Sequence, residues 1–144
     1  MNVNDEPINL IVDIDGTLCP IKKIDENYED LIPYQEIINK LKQYHDNGSK
    51  IILFTSRNMR TYNGDIGKIN KYTAPILISW LEKWDIPYDE IIYGKPWMKN
   101  CFYIDDRAIR PDEFISNKFW EKEVLKWQLQ TLKWIQIIYL NIQE

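Results

Sequence analysis

The chain has 144 residues, enough for one domain with a real core, and 44% of them are hydrophobic against 28% charged, an ordinary globular balance. Its formal net charge is −4, from 18 basic and 22 acidic residues, which argues against broad binding to nucleic acid or an anionic membrane surface but leaves room for a pocket built on one or two cations. No apolar run approaches the roughly 18 residues of a membrane span, and "MNVNDEPINL" has no basic stretch followed by an apolar block, so the expected location is the cytoplasm.

In chain order, the first expected element is a buried strand over Ile8 to Val12. A helix follows over Tyr34 to Asn47, with Ile37, Ile38, Leu41 and Tyr44 at helical spacing and Gly48 as its stop. Lys50 to Phe54, "KIILF", reads as a second strand. Thr73 to Trp84 reads as a helix with Pro75 in its first turn and Ile76, Leu77, Trp80, Leu81 and Trp84 on one side. Glu90 to Tyr93 and Cys101 to Ile104 are the third and fourth strands. All four strand runs are continuous rather than alternating, the pattern of strands covered on both faces. Strands alternating with helices imply an α/β fold with a central parallel sheet and right-handed crossovers. The tail, about 112 to 144, reads as one long helix. One stripe holds Trp120, Val124, Trp127, Trp134 and Ile138; another holds Leu125, Leu129, Leu132, Ile135 and Tyr139. A helix apolar on two sides needs two partners, and a second copy of the chain is the expected one, giving a homo-oligomer. Cys19 and Cys101 match no metal or disulfide spacing and are read as reduced thiols. His45, the single histidine, is read as a surface residue.

Each strand run ends in polar residues of a definite kind. The first runs into Asp13-Ile14-Asp15-Gly16-Thr17, the second into Thr55-Ser56-Arg57, the third into Gly94-Lys95-Pro96 and the fourth into Asp105-Asp106-Arg107. In an open parallel sheet, ligands bind outside the carboxyl ends of the strands, so these groups are expected at one edge. Crowded carboxylates need a cation, and hard oxygen donors suit Mg2+ together with a substrate phosphate. A lysine supplies a compact positive charge for phosphate oxygens, and a threonine hydroxyl donates to the same group. One carboxylate can attack phosphorus while a second, two residues on, protonates the leaving oxygen and then activates water.

With these residues in place, the sequence resembles the haloacid dehalogenase superfamily of phosphohydrolases from Ile8 to about Pro111. "DIDGT" looks like its first motif, "ILFT" its second, Lys95 in "YGKP" its third and "YIDD" its fourth. The resemblance implies a Rossmann-like three-layer α/β/α domain spanning 1–144, with a core at about 8–111. The strand ending at Asp105 would lie beside the one ending at Asp13. It implies Asp13 as nucleophile, Asp15 as general acid and base, and Thr55, Ser56, Lys95 and Gly16 as holders of the transferring phosphoryl group. It implies Asp13, Asp15, Asp106 and Asp105 around Mg2+, with Asp106 favoured as the direct ligand. Only 39 residues separate Asp15 from Thr55, and 39 separate Thr55 from Lys95, so no large cap domain fits.

A capless site must be covered by short loops, a second subunit or the substrate. "CPIKKIDENYED", Cys19 to Asp30, looks like the family's flap hairpin. Asn58 to Thr73 reads as a long functional loop. Arg57, Arg60, Lys68 and Arg107 are candidate substrate contacts. At finer grain, "FTSRNMRTYNGDIGKIN", "YDEIIYGKPW" and "FYIDDRAIRPDEF" resemble bacterial phosphatases of capsule and surface-polysaccharide biosynthesis. That implies a phosphorylated sugar, polyol or related small precursor. "YIDDR" is also similar to phosphatase domains acting on polynucleotide 3′ ends, which the acidic balance counts against. A non-catalytic phosphate-binding or scaffold protein is the alternative of another class.

Overall fold

The run KIILF forms the middle of a sheet because both of its edges find a partner. In this computed structural model, which describes residues 7–116 together with Leu132 and Gln136, strands β1 (Leu10–Val12), β2 (Ile51–Thr55) and β3 (Glu90–Tyr93) lie in the order β1-β2-β3, all parallel. The register pairs Leu10 with Ile51, Val12 with Leu53, and Thr55 with Tyr93. The ladder extends one step beyond β3, where the Lys95 N–H donates to the Thr55 carbonyl at 3.1 Å. That bond seats Lys95 beside the end of β2.

Helices make the crossovers. Helix α1 (Gln35–Asp46) joins β1 to β2 and buries Ile37, Ile38 and Leu41, the positions its apolar periodicity marks. Its stop is at Gly48, whose φ of +89° is the left-handed conformation that glycine adopts without penalty. Two short helices, α2 (Ile66–Tyr72) and α3 (Ala74–Lys83), join β2 to β3. Asp65 caps α2 by accepting from the Lys68 N–H. Helix α3 buries Leu77, Trp80 and Leu81, and the Trp80 indole N–H donates to the Leu31 carbonyl at 2.7 Å. This bond ties α3 to the chain just beyond a 3-10 turn at Tyr28–Asp30. The core lies among Ile14, Leu18, Ile38, Leu41, Ile51, Leu53, Leu77 and Leu81, all fully buried.

Several expectations need correction. Cys101 to Ile104 is not a strand, and Phe102 and Ile104 are 88% and 100% exposed. An apolar run becomes a strand only where a neighbouring ladder takes up its N–H and C=O groups, and the described sheet has three members. Only β2 has a strand on each edge, and β1 and β3 are not covered on both faces: Ile11 is 71% exposed and β3 alternates exposed and half-buried positions. Cys19 to Asp30 forms no hairpin. It is closed instead by the Lys22 ammonium on the carbonyls of Lys23 and Glu26 and by the 3-10 turn. Half of the expected loop from Asn58 to Thr73 is α2, because Asp65 supplies an N-cap.

The chain divides into two compact units, Met1–Tyr103 and Ile104–Glu144. The second contains helix α4 (Pro111–Ser116), with Asp112 and Glu113 in its first turn, where acids oppose the helix dipole favourably. Apart from Leu132 and Gln136, which are helical, the tail stripes and the oligomer contact expected of them lie outside the described residues. Among the described residues no helix is long and apolar enough to cross a membrane.

Core packing sets a stability test. Leu81→Ala should cost about 2–5 kcal/mol, and Trp80→Phe, which strands the buried Leu31 carbonyl, about 1–3 kcal/mol. Urea denaturation followed by fluorescence measures both; a change below about 0.5 kcal/mol for Leu81→Ala contradicts the packing described.

Candidate active site

Strand β1 stops at Val12, and the chain closes a tight turn around Ile14. The Ile14 carbonyl accepts from the N–H groups of Thr17, Leu18 and Cys19, and the Gly16 N–H donates to the Cys19 carbonyl at 2.8 Å. Gly16 has φ +83°, a conformation costly for any residue with a Cβ. Ile14 is fully buried. In extended chain, residues i and i+2 share a side, so burying Ile14 leaves Asp13 and Asp15 together on the other, both half-buried. The turn thus delivers two carboxylates to the rim.

Each acid has its own cation from a different strand end. The Lys95 ammonium, just after β3, lies 3.3 Å from Asp13 Oδ2 and 4.5 Å from the centre of the Tyr103 ring. Gly94 makes this approach possible: its φ is +88°, and a Cβ there would sit 2.9 Å from Ile66 Cδ1. Arg57, just after β2, grips Asp15 with two bonds, Nε to Oδ2 at 3.1 Å and Nη2 to Oδ1 at 2.8 Å. Its side chain is 1% exposed. It stacks 4.3 Å from the centre of the Tyr28 ring, and Nη2 lies 3.8 Å from Cys19 Sγ. Among the described residues its Nη1 has no hydrogen-bond partner. Thr55 is buried, and its hydroxyl accepts from the Arg57 N–H at 3.0 Å, which fixes the turn out of β2.

Burial raises the Asp13 carboxyl above the ordinary carboxylate value. The Lys95 charge and hydrogen bonds from Ile14 and Lys95 pull it back, and the Asp15 charge adds to the rise. Burial, aided by the Asp15 charge, pushes the Cys19 thiol up to about 11. The Tyr28 phenol is raised for the same two reasons.

Beside Asp15 opens a cleft of about 240 Å³. Ser56, Arg57 and Arg60 line it, as do Lys22, Tyr28 and Trp97. Arg60 lies over the Trp97 ring at 5.8 Å. Lys68 is not among the lining residues; it pairs with Asp65 at 3.6 Å on the exposed start of α2. Asp105, Asp106 and Arg107 belong to the second unit, where Asp105 Oδ1 accepts from the Arg107 N–H at 2.7 Å. Among the described residues no three His, Cys, Asp or Glu side chains form a group ready to hold a metal.

Arg57, expected as a substrate contact, lines the cleft and also binds Asp15 with two hydrogen bonds. Tyr28, Trp97 and Lys22 were not singled out. The one available signal for Trp97 was its position two residues after Lys95; Tyr28 and Lys22 sit in a segment marked only as a covering loop.

No family model matches the sequence, and no curated protein matches it. Among solved structures, the chain is similar to a crystal structure of a target protein from Vibrio cholerae. The two are 48% identical with a TM-score of 0.73, over 81% of this chain and 98% of that one.

The two thiols provide a check on the geometry around Asp15. Cys19 is buried and raised to about 11, while Cys101 is exposed. At pH 8 the folded protein should react rapidly with one equivalent of Ellman's reagent, at Cys101, and with the second only after denaturation. Fast labelling of Cys19 in the folded chain contradicts its place behind Arg57.

Proposed function

We propose that this chain, which belongs to one family with the Vibrio cholerae protein, is a capless Mg2+-dependent phosphomonoesterase of haloacid dehalogenase type, with a three-layer Rossmann-like core. The observation that supports this most is the convergence at the carboxyl ends of three parallel strands. Asp13 meets Lys95, and Asp15, on the same side of the chain opposite the buried Ile14, meets Arg57. Two acids two positions apart, held differently, fit a division of labour between nucleophile and proton carrier.

In the proposed reaction an Asp13 carboxylate oxygen attacks phosphorus, and the bond to the leaving oxygen breaks. Lys95 offsets the negative charge on the transferring group. Asp15 gives a proton to the leaving oxygen and later takes one from the water that hydrolyses the aspartyl-phosphate. The donor set suits a divalent ion. It is oxygen throughout, and burial and the neighbouring Asp15 charge both work against an ionised Asp13, a penalty that a cation removes. The Asp13 carboxylate and the Asp15 backbone carbonyl would hold Mg2+; Asp106, with Asp105, is the further ligand that the sequence resemblance implies. When bound, it supplies charge neutralisation for an anionic nucleophile approaching an anionic phosphate. The substrate read from the sequence is a phosphorylated sugar, polyol or related small precursor of a surface polysaccharide.

The test is turnover of p-nitrophenyl phosphate. Activity should vanish with EDTA and return with Mg2+. Asp13→Asn should lose at least about 10³-fold, and Lys95→Gln about 10²–10³-fold. An Asp13→Asn protein as active as wild type removes the nucleophile, and with it the reading.

A further inference from the structure

We propose that the cleft beside Asp15 is a leaving-group subsite for a phosphomonoester that carries a second negative charge, a carboxylate or another phosphate, on the part released. This rests on the phosphatase reading and deepens it. Asp15 is both a wall of the cleft and the group that protonates the leaving oxygen, so the carbon bearing that oxygen must enter this space.

Three cations and one carboxylate line the cleft: Lys22, Arg57 and Arg60 against Asp15. Arg57 is committed to Asp15 by two hydrogen bonds. Two positive charges remain, and among the described residues no carboxylate is paired with either. Lys22 is held in place by the carbonyls of Lys23 and Glu26, at 2.8 and 2.9 Å, and by the Tyr28 ring at 5.5 Å. Neutral carbonyl partners fix its position without cancelling its charge. The Arg60 guanidinium lies over the Trp97 ring. Stacking occupies its face and leaves its donor edge for a planar anion such as a carboxylate or for phosphate oxygens. Two positioned, uncompensated cations facing one small space favour an anion there. Tyr28 and Trp97 supply apolar surface for the carbon frame between the two charges.

Size narrows the class. At about 240 Å³ the cleft has room for a leaving group of a few carbons with one further charged group.

The experiment compares substrates in pairs that differ by one added anionic group. Glycerol 3-phosphate is set against 3-phosphoglycerate, and fructose 6-phosphate against fructose 1,6-bisphosphate. Binding is measured by calorimetry on Asp13→Asn protein, and kcat/KM on wild type. At least one member with the added anion should bind tenfold or more tightly than its partner without it, with the advantage shrinking as salt rises. Arg60→Gln and Lys22→Gln should each reduce that ratio toward one. The first pair answering identifies a carboxylate, the second a phosphate. Equal affinity within both pairs overturns the proposal, as does a ratio unchanged in both variants, or a 3′-phosphorylated dinucleotide outranking every small phosphate. p-Nitrophenyl phosphate, which carries no second charge, separates the two claims. Its turnover without any charge preference fells the subsite and leaves the phosphatase standing; a charge preference without turnover of any phosphate does the reverse.

Discussion

The paired hydrogen bonds from Arg57 to Asp15 are the constraint around which the rim of this sheet is arranged. A guanidinium this deeply buried is expensive to desolvate, and it stays charged at any working pH. It must therefore be met by an acid in good geometry. The fork of Nε and Nη2 accepts one orientation of the Asp15 carboxyl. Tyr28 covers the guanidinium face, and the Leu31 carbonyl, three residues on, is anchored to Trp80. The covering segment, the Ile14 turn and the exit of β2 thus meet on one side chain. Such a pair adds little net stability compared with a well-packed apolar alternative. Its effect is to select one arrangement of the rim.

The two acids of the rim are held in contrasting ways. Asp13 meets Lys95 through one contact, at the end of a flexible stem that can turn to another anion. Asp15 is held by a rigid two-point clamp. In the proposed chemistry the looser pair belongs to the acid that must give up its partner to an incoming phosphate. The tighter pair belongs to the acid that must be aimed.

Much of this was legible from residues alone. The runs at Ile51 to Thr55 and Glu90 to Tyr93 are strands, and the helices with Leu41 and with Trp80 on their apolar faces end within a residue or two of their periodic patterns. Periodicity reports burial, and burial is what forms those elements. Cys101 to Ile104 misled for the same reason, since a run of apolar residues declares a wish for partners, not their presence. Helix α2 was hidden because its seven residues carry too few apolar positions for a period to show.

The sequence by itself determined the local chemistry: two acids two positions apart after a short apolar run, a glycine where the chain must turn left-handed, and a lysine and an arginine just past two other strands. These follow from residue type and spacing, which are properties of the chain before it folds. Only the tertiary structure decided which cation answers which acid. Arg57 lies 42 positions from Asp15 and Lys95 lies 82 from Asp13, and pairings over such distances are set by strand order and register. The same holds for the cleft, because Lys22, Arg60 and Trp97 come from three separate connections. A concave surface exists only once those connections are packed against one sheet edge.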